Sequence, residues 1–204
     1  MLKAVITADI ANSRKQEAET WLETLKGELN LIGKEPQDWE IYRGDSLQLM
    51  TAPENALRAA MQIKAAIMQH KDLDIRMAIG IGDVSYKGKK ITESNGSAFI
   101  HSGTKFDELG KEQNIVLKSP WKDFDEIMNL LLLLLGKLTN NWNTNRALIV
   151  RTFLDNPVMT QKELGQKLNK QQGNISHSLN KAGYDELIKV LDYYESHILE
   201  KING

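Results

Sequence analysis

The sequence predicts an α+β fold in which a ferredoxin-like sheet is followed by an all-helical region. The first 118 residues alternate between short β-prone runs and amphipathic stretches, in the order strand, helix, strand, strand, helix, strand. This order is the split βαβ arrangement of a ferredoxin-like sheet. From residue 119 onward, apolar residues recur only at helical spacing.

Length and composition are those of an ordinary globular protein. The chain has 204 residues, of which 41% are hydrophobic and 26% charged, so it is not a disordered chain. A net charge of −1 excludes a protein that is basic throughout, but it allows a local DNA-binding surface. The chain has no cysteine, which excludes disulfides, thiolate metal sites and cysteine nucleophiles.

The sequence gives no sign of a membrane protein. The first ten residues lack the layout of a signal peptide. The longest apolar run, residues 130–135, is far shorter than the roughly 20 residues that span a bilayer. We therefore expect a cytoplasmic protein without membrane contact.

The first strand and helix follow from local pattern. Residues 2–8 are apolar and β-prone, and Asp9 is expected to end this strand. Asn12 and Ser13 are expected to begin a helix, which Gly33 ends. The apolar residues at helical spacing along this helix are Trp21, Leu22, Leu25, Leu29 and Ile32.

A hairpin and a second helix come next. Residues 39–43 form the second strand, Gly44 and Asp45 make the turn, and residues 47–49 belong to the third strand. Pro53 then suits the first turn of the second helix.

The remaining elements of the first region are also predicted from pattern. Residues 74–84 alternate as a fourth strand, with Arg76 expected to be a solvated charge on its polar face. Residues 89–92 favour a strand, 96–109 a helix and 115–117 an edge strand.

Residues 119–139 are predicted to form a leucine-rich connector helix, between a first domain of residues 1–118 and a second of residues 140–204. Ser119 suits the N-cap and Pro120 the first helical position. Apolar residues then follow at alternating steps of three and four, which suits either a helix packed under the first domain or a dimer seam. These residues are Phe124, Ile127, Leu131, Leu134 and Leu138.

Residues 160–182 have the pattern of a helix-turn-helix. Thr160 and Glu163 are spaced as a capping box. Gly165 is expected where the two helices cross, and Asn169 lies in the turn. The residues expected to face inward are Leu164, Leu168, Ile175 and Leu179.

Polar side chains at the start of the second helix have the chemistry that binds base edges. Gln and Asn bond bidentately to adenine, while Ser and His serve as tolerant donors or acceptors. A recognition helix places its N-terminal residues in the major groove, and flanking lysines suit phosphates. The predicted base-binding residues are Gln171, Gln172, Asn174, Ser176 and His177, and the predicted phosphate-binding residues are Lys170 and Lys181.

The charge distribution favours the same function. Residues 144–183 contain six basic and two acidic side chains, a net charge of +4 within a weakly acidic chain. We therefore predict a transcriptional regulator that binds double-stranded DNA as a homodimer, because one helix-turn-helix contacts few base pairs. The alternative is a helical hairpin used for packing or for contact with another protein.

Asp9 and Asp45 form a second candidate site. Strands one and three are adjacent and antiparallel in a split βαβ sheet, so both carboxylates are expected at one edge. Mg²⁺ prefers oxygen ligands and often shares them with phosphates, which makes it the candidate cofactor. Alternatively, Asp9 caps the next helix or pairs with Arg14 or Arg43, and Asp45 is simply part of a turn.

Three motifs resemble the core strands of class III nucleotidyl cyclases: TADIANSR (7–14), RGDSLQL (43–49) and IRMAIGIGDV (75–84). In that family both aspartates of such motifs hold metals, which implies Asp9 and Asp45 as ligands and a nucleotide as partner. Cyclases also have an Asn and an Arg on the helix after the fourth strand, and residues 96–109 contain neither. The resemblance therefore implies a degenerate sensor or platform, with metal-dependent nucleotide binding or nucleotidyl transfer as the alternative function.

The chain as a whole more closely resembles the SatD family of bacterial proteins. That family joins a cyclase-like domain to a C-terminal helix-turn-helix, and the likeness covers nearly all of the sequence. The resemblance implies a nucleotidyl cyclase-type domain followed by an all-α helix-turn-helix domain. It implies no defined biochemical activity.

Overall fold

The structure, a computed structural model, describes residues 2–110 and 113–204. Within these residues the chain has a five-stranded mixed sheet and eight α-helices, which confirms the predicted α+β class. The strands are β1 (Lys3–Ala11), β2 (Trp39–Tyr42), β3 (Ser46–Thr51), β4 (Asp74–Gly82) and β5 (Ile115–Lys118). The helices are α1 (Ala18–Ile32), α2 (Ala56–Ile67), α3 (Ser97–Asp107), α4 (Lys122–Thr139), α5 (Thr144–Asp155), α6 (Gln161–Lys167), α7 (Gln172–Ala182) and α8 (Tyr184–Asn203).

The strands lie in the order β2-β3-β1-β4-β5. The central strand β1 pairs antiparallel with β3 and β4, while β5 runs parallel to β4. The register places Asp9 opposite Ser46 on one side and Arg76 on the other. The prediction that Asp9 ends β1 is wrong, because the pairing with β4 continues until Ala11 lies opposite Asp74.

The two faces of the sheet are covered differently. One face belongs to the main apolar core and packs against α2. Helix α3 covers the other face so closely that a Cβ at Gly80 would lie 2.2 Å from the carbonyl oxygen of Ala98. Only glycine fits this contact. The core-facing residues of β1 and β4 are Ala4, Ile6, Ala8, Ile10, Ile75, Met77, Ile79 and Ile81.

Helix α2 lies inside the protein, and ten of its twelve residues are buried. It contacts the sheet, α1, α5 and α8. A helix that is apolar over most of its surface is stable only when other elements cover it. One apolar core therefore continues from the sheet to the C-terminal helices, so the predicted domains 1–118 and 140–204 share it.

Lys64 is the charged exception inside α2. Its side chain is fully buried, and its Nζ pairs with the Asp74 carboxylate at the start of β4. Asp74 also accepts a hydrogen bond from the Asn114 side chain at 2.8 Å. Burial lowers the pKa of Lys64, and the Asp74 charge opposes this shift. The pair ties α2 to β4 and to the segment that precedes β5.

Two buried hydrogen bonds anchor the C-terminal helices. The Trp142 Nε1 donates to the carbonyl oxygen of Ala182 at 2.8 Å, which connects the start of α5 to the end of α7. The Tyr194 hydroxyl donates to the carbonyl oxygen of Pro53 at 2.6 Å, which connects α8 to the turn before α2. Both donors would lose water on burial, so these bonds offset their desolvation.

Several predicted boundaries are corrected. A 3-10 turn over Ser13–Lys15 follows β1, and α1 begins only at Ala18. Asn12 does not begin this helix, because its backbone is left-handed with φ of 64°. The predicted strand at residues 89–92 is wrong, since Ile91–Glu93 form a 3-10 turn whose neighbouring side chains bond to β2.

Helix α4 begins later than predicted. Ser119 does not cap it, because its backbone N–H and its hydroxyl both donate to the Asp125 carboxylate, at 2.9 and 2.6 Å. The first helical residue is Lys122.

The predicted apolar stripe of α4 is only partly buried. Phe124 lies in the core, Leu131 and Leu138 are half-buried, and Ile127 and Leu134 are exposed. The predicted packing under the first domain therefore holds for only part of the stripe, because the side of α4 that faces the core carries a neighbouring set of residues. The alternative role of the stripe as a dimer seam stays a prediction. The buried set is Phe124, Met128, Leu132, Leu135 and Thr139.

Glu28 of α1 and Arg151 of α5 form a buried ion pair between the two halves of the chain. The Arg151 Nε donates to Glu28 Oε2 at 2.6 Å, and the Glu28 side chain is fully buried. Glu28 Oε1 has no hydrogen-bond partner among residues 2–110 and 113–204. Burial raises the pKa of Glu28, while the Arg151 charge lowers it. Arg151 therefore favours the ionised form of this carboxyl group, which burial disfavours.

We expect Arg151→Met to lower the free energy of unfolding by about 3–5 kcal/mol, because it leaves a buried carboxylate without a countercharge. The loss grows as the pH rises through the raised pKa of Glu28 and shrinks at lower pH, where Glu28 is protonated. Urea unfolding across a pH series measures both effects.

The double variant Glu28→Leu with Arg151→Met is the matched control. Removing both charges leaves an apolar contact, so its stability should return to that of the unmodified chain or exceed it. A single variant that costs less than about 1 kcal/mol would show that the pair behaves like an exposed one.

Candidate functional site

Helices α6 and α7 follow one another across a turn of four residues. The Glu163 N–H donates to the Thr160 hydroxyl, and the Thr160 N–H donates back to the Glu163 carboxylate at 2.7 Å. The bond from the Thr160 N–H lowers the pKa of Glu163. The predicted capping box is confirmed.

The turn has the geometry of a Schellman motif. The Asn169 N–H donates to the Gln166 carbonyl oxygen at 3.2 Å, and the Lys170 N–H donates to that of Gly165 at 2.8 Å. Asn169 is left-handed with φ of 51°, a conformation that Asn tolerates better than most residues. Lys170 thus occupies a position where apolar residues are common, and it is half-buried.

Gly165 is required by the turn rather than by α7. A Cβ at this position would lie 2.7 Å from the Lys170 carbonyl oxygen. The close approach predicted at Gly165 is present, and it involves the turn backbone and, at 3.6 Å from such a Cβ, the backbone nitrogen of Gln172 at the start of α7.

The predicted base-binding residues lie on the solvent side of α7. Ile175 and Leu179 are buried and hold the other side of the helix in the core. The N-cap residue Gln171 and the first two turns of α7 therefore present their polar side chains to water as one surface. Its members, all exposed, are Gln171, Gln172, Asn174, Ser176 and His177.

The positive charge of this region comes from lysines. Arg151 does not contribute to it, because it pairs with Glu28 inside the protein. Arg146 donates to the Asn141 carbonyl oxygen at 2.6 Å, beside the start of α5. The lysines carried by α6, the turn and α7 themselves are Lys162, Lys167, Lys170 and Lys181.

A cleft of about 510 Å³ lies at the turn between α6 and α7. Lys162 and Lys170 line it, together with Gln171 and Gln172. The two lysine ammonium groups and the two glutamine amides suit the phosphate backbone of a nucleic acid whose bases are contacted from α7. Lys162 entered the sequence-based prediction only through the net charge of residues 144–183, although its position one turn before Gln166 placed it on the outer side of α6.

Asp9 and Asp45 line one cleft of about 560 Å³ beside the end of β1 and the start of β3, which is the juxtaposition that the sequence predicted. Arg14, Lys15 and Arg76 line the same cleft. The cleft therefore contains cations as well as carboxylates.

The Arg76 guanidinium binds both oxygens of the Asp9 carboxylate. Its Nε donates to Asp9 Oδ1 at 3.0 Å and its Nη2 to Oδ2 at 2.6 Å. The Asp45 carboxylate accepts from the Ser13 hydroxyl at 2.7 Å. The prediction that Arg76 is a solvated charge is wrong, and it takes the partner role considered for Arg14 or Arg43. The sequence placed Arg76 on the polar face of β4, which could have indicated it as a partner for a carboxylate. Only the pairing of β1 with β4 shows that Asp9 lies opposite it.

This arrangement does not fit a magnesium ion. Both oxygens of Asp9 bind a guanidinium, and Mg²⁺ would need at least one of them as a ligand. Across residues 2–110 and 113–204, no group of three or more acidic or histidine side chains is placed to hold a metal. A metal site at Asp9 and Asp45 stays a prediction, and it requires Arg76 to move away.

No model of a known protein family matches the chain, and no curated protein is significantly similar to it. In the part of the chain that the structure describes, every helix is too short or too polar to cross a bilayer. The function of the protein is therefore inferred from the geometry of the α6–α7 surface and of the cleft at Asp9 and Asp45.

We expect Gly165→Ala and Gly173→Ala to change stability in opposite directions. The first forces a Cβ against the Lys170 carbonyl oxygen and should cost about 1–3 kcal/mol. The second adds a Cβ with nothing within 4 Å on a helix, and should stabilise the protein by up to about 1 kcal/mol. Thermal unfolding followed by circular dichroism measures both, and equal effects of the two would contradict the turn geometry.

The Asp9–Arg76 pair predicts that Mg²⁺ or Mn²⁺ with a nucleoside triphosphate leaves the Tm of the unmodified chain unchanged. A ligand that binds the folded state must raise the Tm, so differential scanning fluorimetry detects binding directly. A rise that Asp9→Asn and Asp45→Asn both abolish would contradict this expectation and support a metal-nucleotide site.

Proposed function

We propose that this protein is a transcriptional regulator that binds double-stranded DNA by placing α7 in the major groove. The observation that carries the proposal is a surface of five exposed polar side chains, one at the N-cap of α7 and four on its first two turns. Because the other side of α7 is buried in the core, these polar side chains are free to bind another molecule. A recognition helix contacts bases from these same turns.

The individual groups match the two kinds of contact that DNA offers. Gln172 and Asn174 have amides that bond bidentately to adenine, and His177 adds a ring nitrogen. Lys170 in the turn and Lys181 at the end of α7 lie on either side of these residues, where they suit phosphates. Phosphate contacts position the helix, and base contacts supply sequence preference.

We also propose that the first domain is a ferredoxin-like domain of the nucleotidyl cyclase type, and that the chain has the SatD arrangement. The antiparallel order β2-β3-β1-β4 supports this assignment. So does the position of Asp9 and Asp45 in one cleft. In this proposal the domain serves as a sensor or as a platform for dimerisation.

The second candidate function is metal-dependent nucleotide binding or transfer at Asp9 and Asp45. The cations Arg14 and Lys15 in the same cleft favour it, since they suit phosphates. The bidentate Arg76 contact opposes it, because the guanidinium holds the carboxylate that the metal needs. We therefore place DNA binding first.

The experiment for the first proposal is selection of fragmented genomic DNA by the purified protein at about 150 mM salt, where non-specific phosphate binding is weakened. We expect the unmodified protein to enrich a few sites. The variant with Gln172→Ala and His177→Ala should lose that preference, since each good base contact supplies about 1–3 kcal/mol of discrimination. A variant that retains the preference would refute the assignment of α7.

A lysine variant separates phosphate contacts from base contacts. Lys170→Ala should weaken binding to all sequences alike and reduce the slope of log K against log salt by about 1. Lys26→Ala, which removes an exposed lysine from α1, is the control and should leave the slope unchanged. Circular dichroism of each variant checks that the fold is retained.

A further inference from the structure

Helix α4 exposes a row of large apolar side chains. Ile127, Leu130 and Leu134 are 47%, 58% and 52% exposed. Their spacing of three and four residues places them along one side of the helix, and we call this row the α4 ridge. No other helix in residues 2–110 and 113–204 exposes three large apolar side chains.

The chain itself cannot cover the α4 ridge. The opposite side of α4 packs against β5 and α8, and its core residues are fully engaged there. Rotating the helix to bury the ridge would expose Met128 and Leu132, which lie in the main core. An apolar row that persists on a folded surface marks a contact with another molecule.

The charges beside the α4 ridge show which molecule fits. Glu126 and Lys137 lie on the same flank of the helix, one near each end of the ridge, and both are exposed. The Glu126 contact with Lys122, at 3.7 Å on the open surface, contributes little. A second copy of α4 in antiparallel orientation would bring each Glu126 beside the other copy's Lys137.

We propose that the α4 ridge binds the α4 ridge of a second copy of this chain, antiparallel, with the two-fold axis passing near Leu130. Ile127 of one copy then packs against Leu134 of the other, as apolar seams of this spacing do. The dimer goes beyond DNA binding and does not require it. Where both hold, it supplies the two copies of α7 that a pair of half-sites needs.

The area of the α4–α4 contact determines how tightly the two copies are expected to bind. One helix from each copy forms an interface at the small end of specific complexes. The dimer should therefore dissociate on dilution, and a DNA that binds both copies would raise their effective concentration.

The first test is sedimentation velocity over a dilution series without DNA. The unmodified chain should pass from dimer to monomer, while Leu130→Glu should be monomeric throughout. Leu31→Glu is the matched control, because Leu31 is a 71% exposed leucine on α1, and it should dimerise like the unmodified chain. A chain that is monomeric at every concentration, or a Leu130→Glu variant that still dimerises, overturns the proposal.

The second test examines the charges. Glu126→Lys and Lys137→Glu should each weaken the dimer by about five-fold, since each replaces two attractive pairs by repulsive ones. The double swap should restore the original affinity. In a parallel dimer Glu126 would not face Lys137, so single variants without effect refute the antiparallel contact.

The third test uses the absence of cysteine from the chain. Leu130→Cys should form a disulfide with itself on mild oxidation, because it lies near the two-fold axis. Ile127→Cys alone should not, but a mixture with Leu134→Cys should cross-link. Self-linking of Ile127→Cys, or no cross-link from either pairing, overturns the proposal. All three tests omit DNA, so a failure of the proposed DNA binding would not affect them.

Discussion

The burial of ten of the twelve residues of α2 is the constraint on which the rest of the fold depends. The sheet, α1, α5 and α8 all pack against this one helix, so each is placed relative to the others through it. The buried Lys64 is compatible with this position only because Asp74 supplies a countercharge. Helix α5 leads directly into α6 and α7, so the side of α7 that faces water is also fixed from this core.

The two candidate sites differ in whether their polar groups already have partners. Asp9 is bound by Arg76 and Asp45 by Ser13, so a ligand there must first replace protein contacts. The polar side chains of α7 face water, which a DNA molecule displaces without breaking protein hydrogen bonds. This difference supports the proposal that DNA binds at α7 more than it supports a ligand in the cleft.

Helix α4 carries more apolar side chains than its contacts with the rest of the chain bury. Six consecutive leucines, residues 130–135, cover every side of it, so the spacing of apolar residues alone could not show which side is buried. Packing against β5 and α8 selected the side of Met128 and Leu132. The side of Leu130 remained outside, so the core interpretation of the sequence describes only part of this helix, and the dimer interpretation stays a proposal.

The sequence by itself determined the α+β class, the existence of the main helices and strands, the capping box at Thr160 and the outward polar surface of α7. These features depend on residues within one or two turns of each other, where side-chain spacing and local hydrogen bonds decide the conformation. Only the tertiary structure decided that Arg76 binds Asp9 and that Arg151 binds Glu28, across 67 and 123 residues of chain. Strand register and helix packing bring such distant groups together, and no local pattern encodes the choice among several nearby arginines.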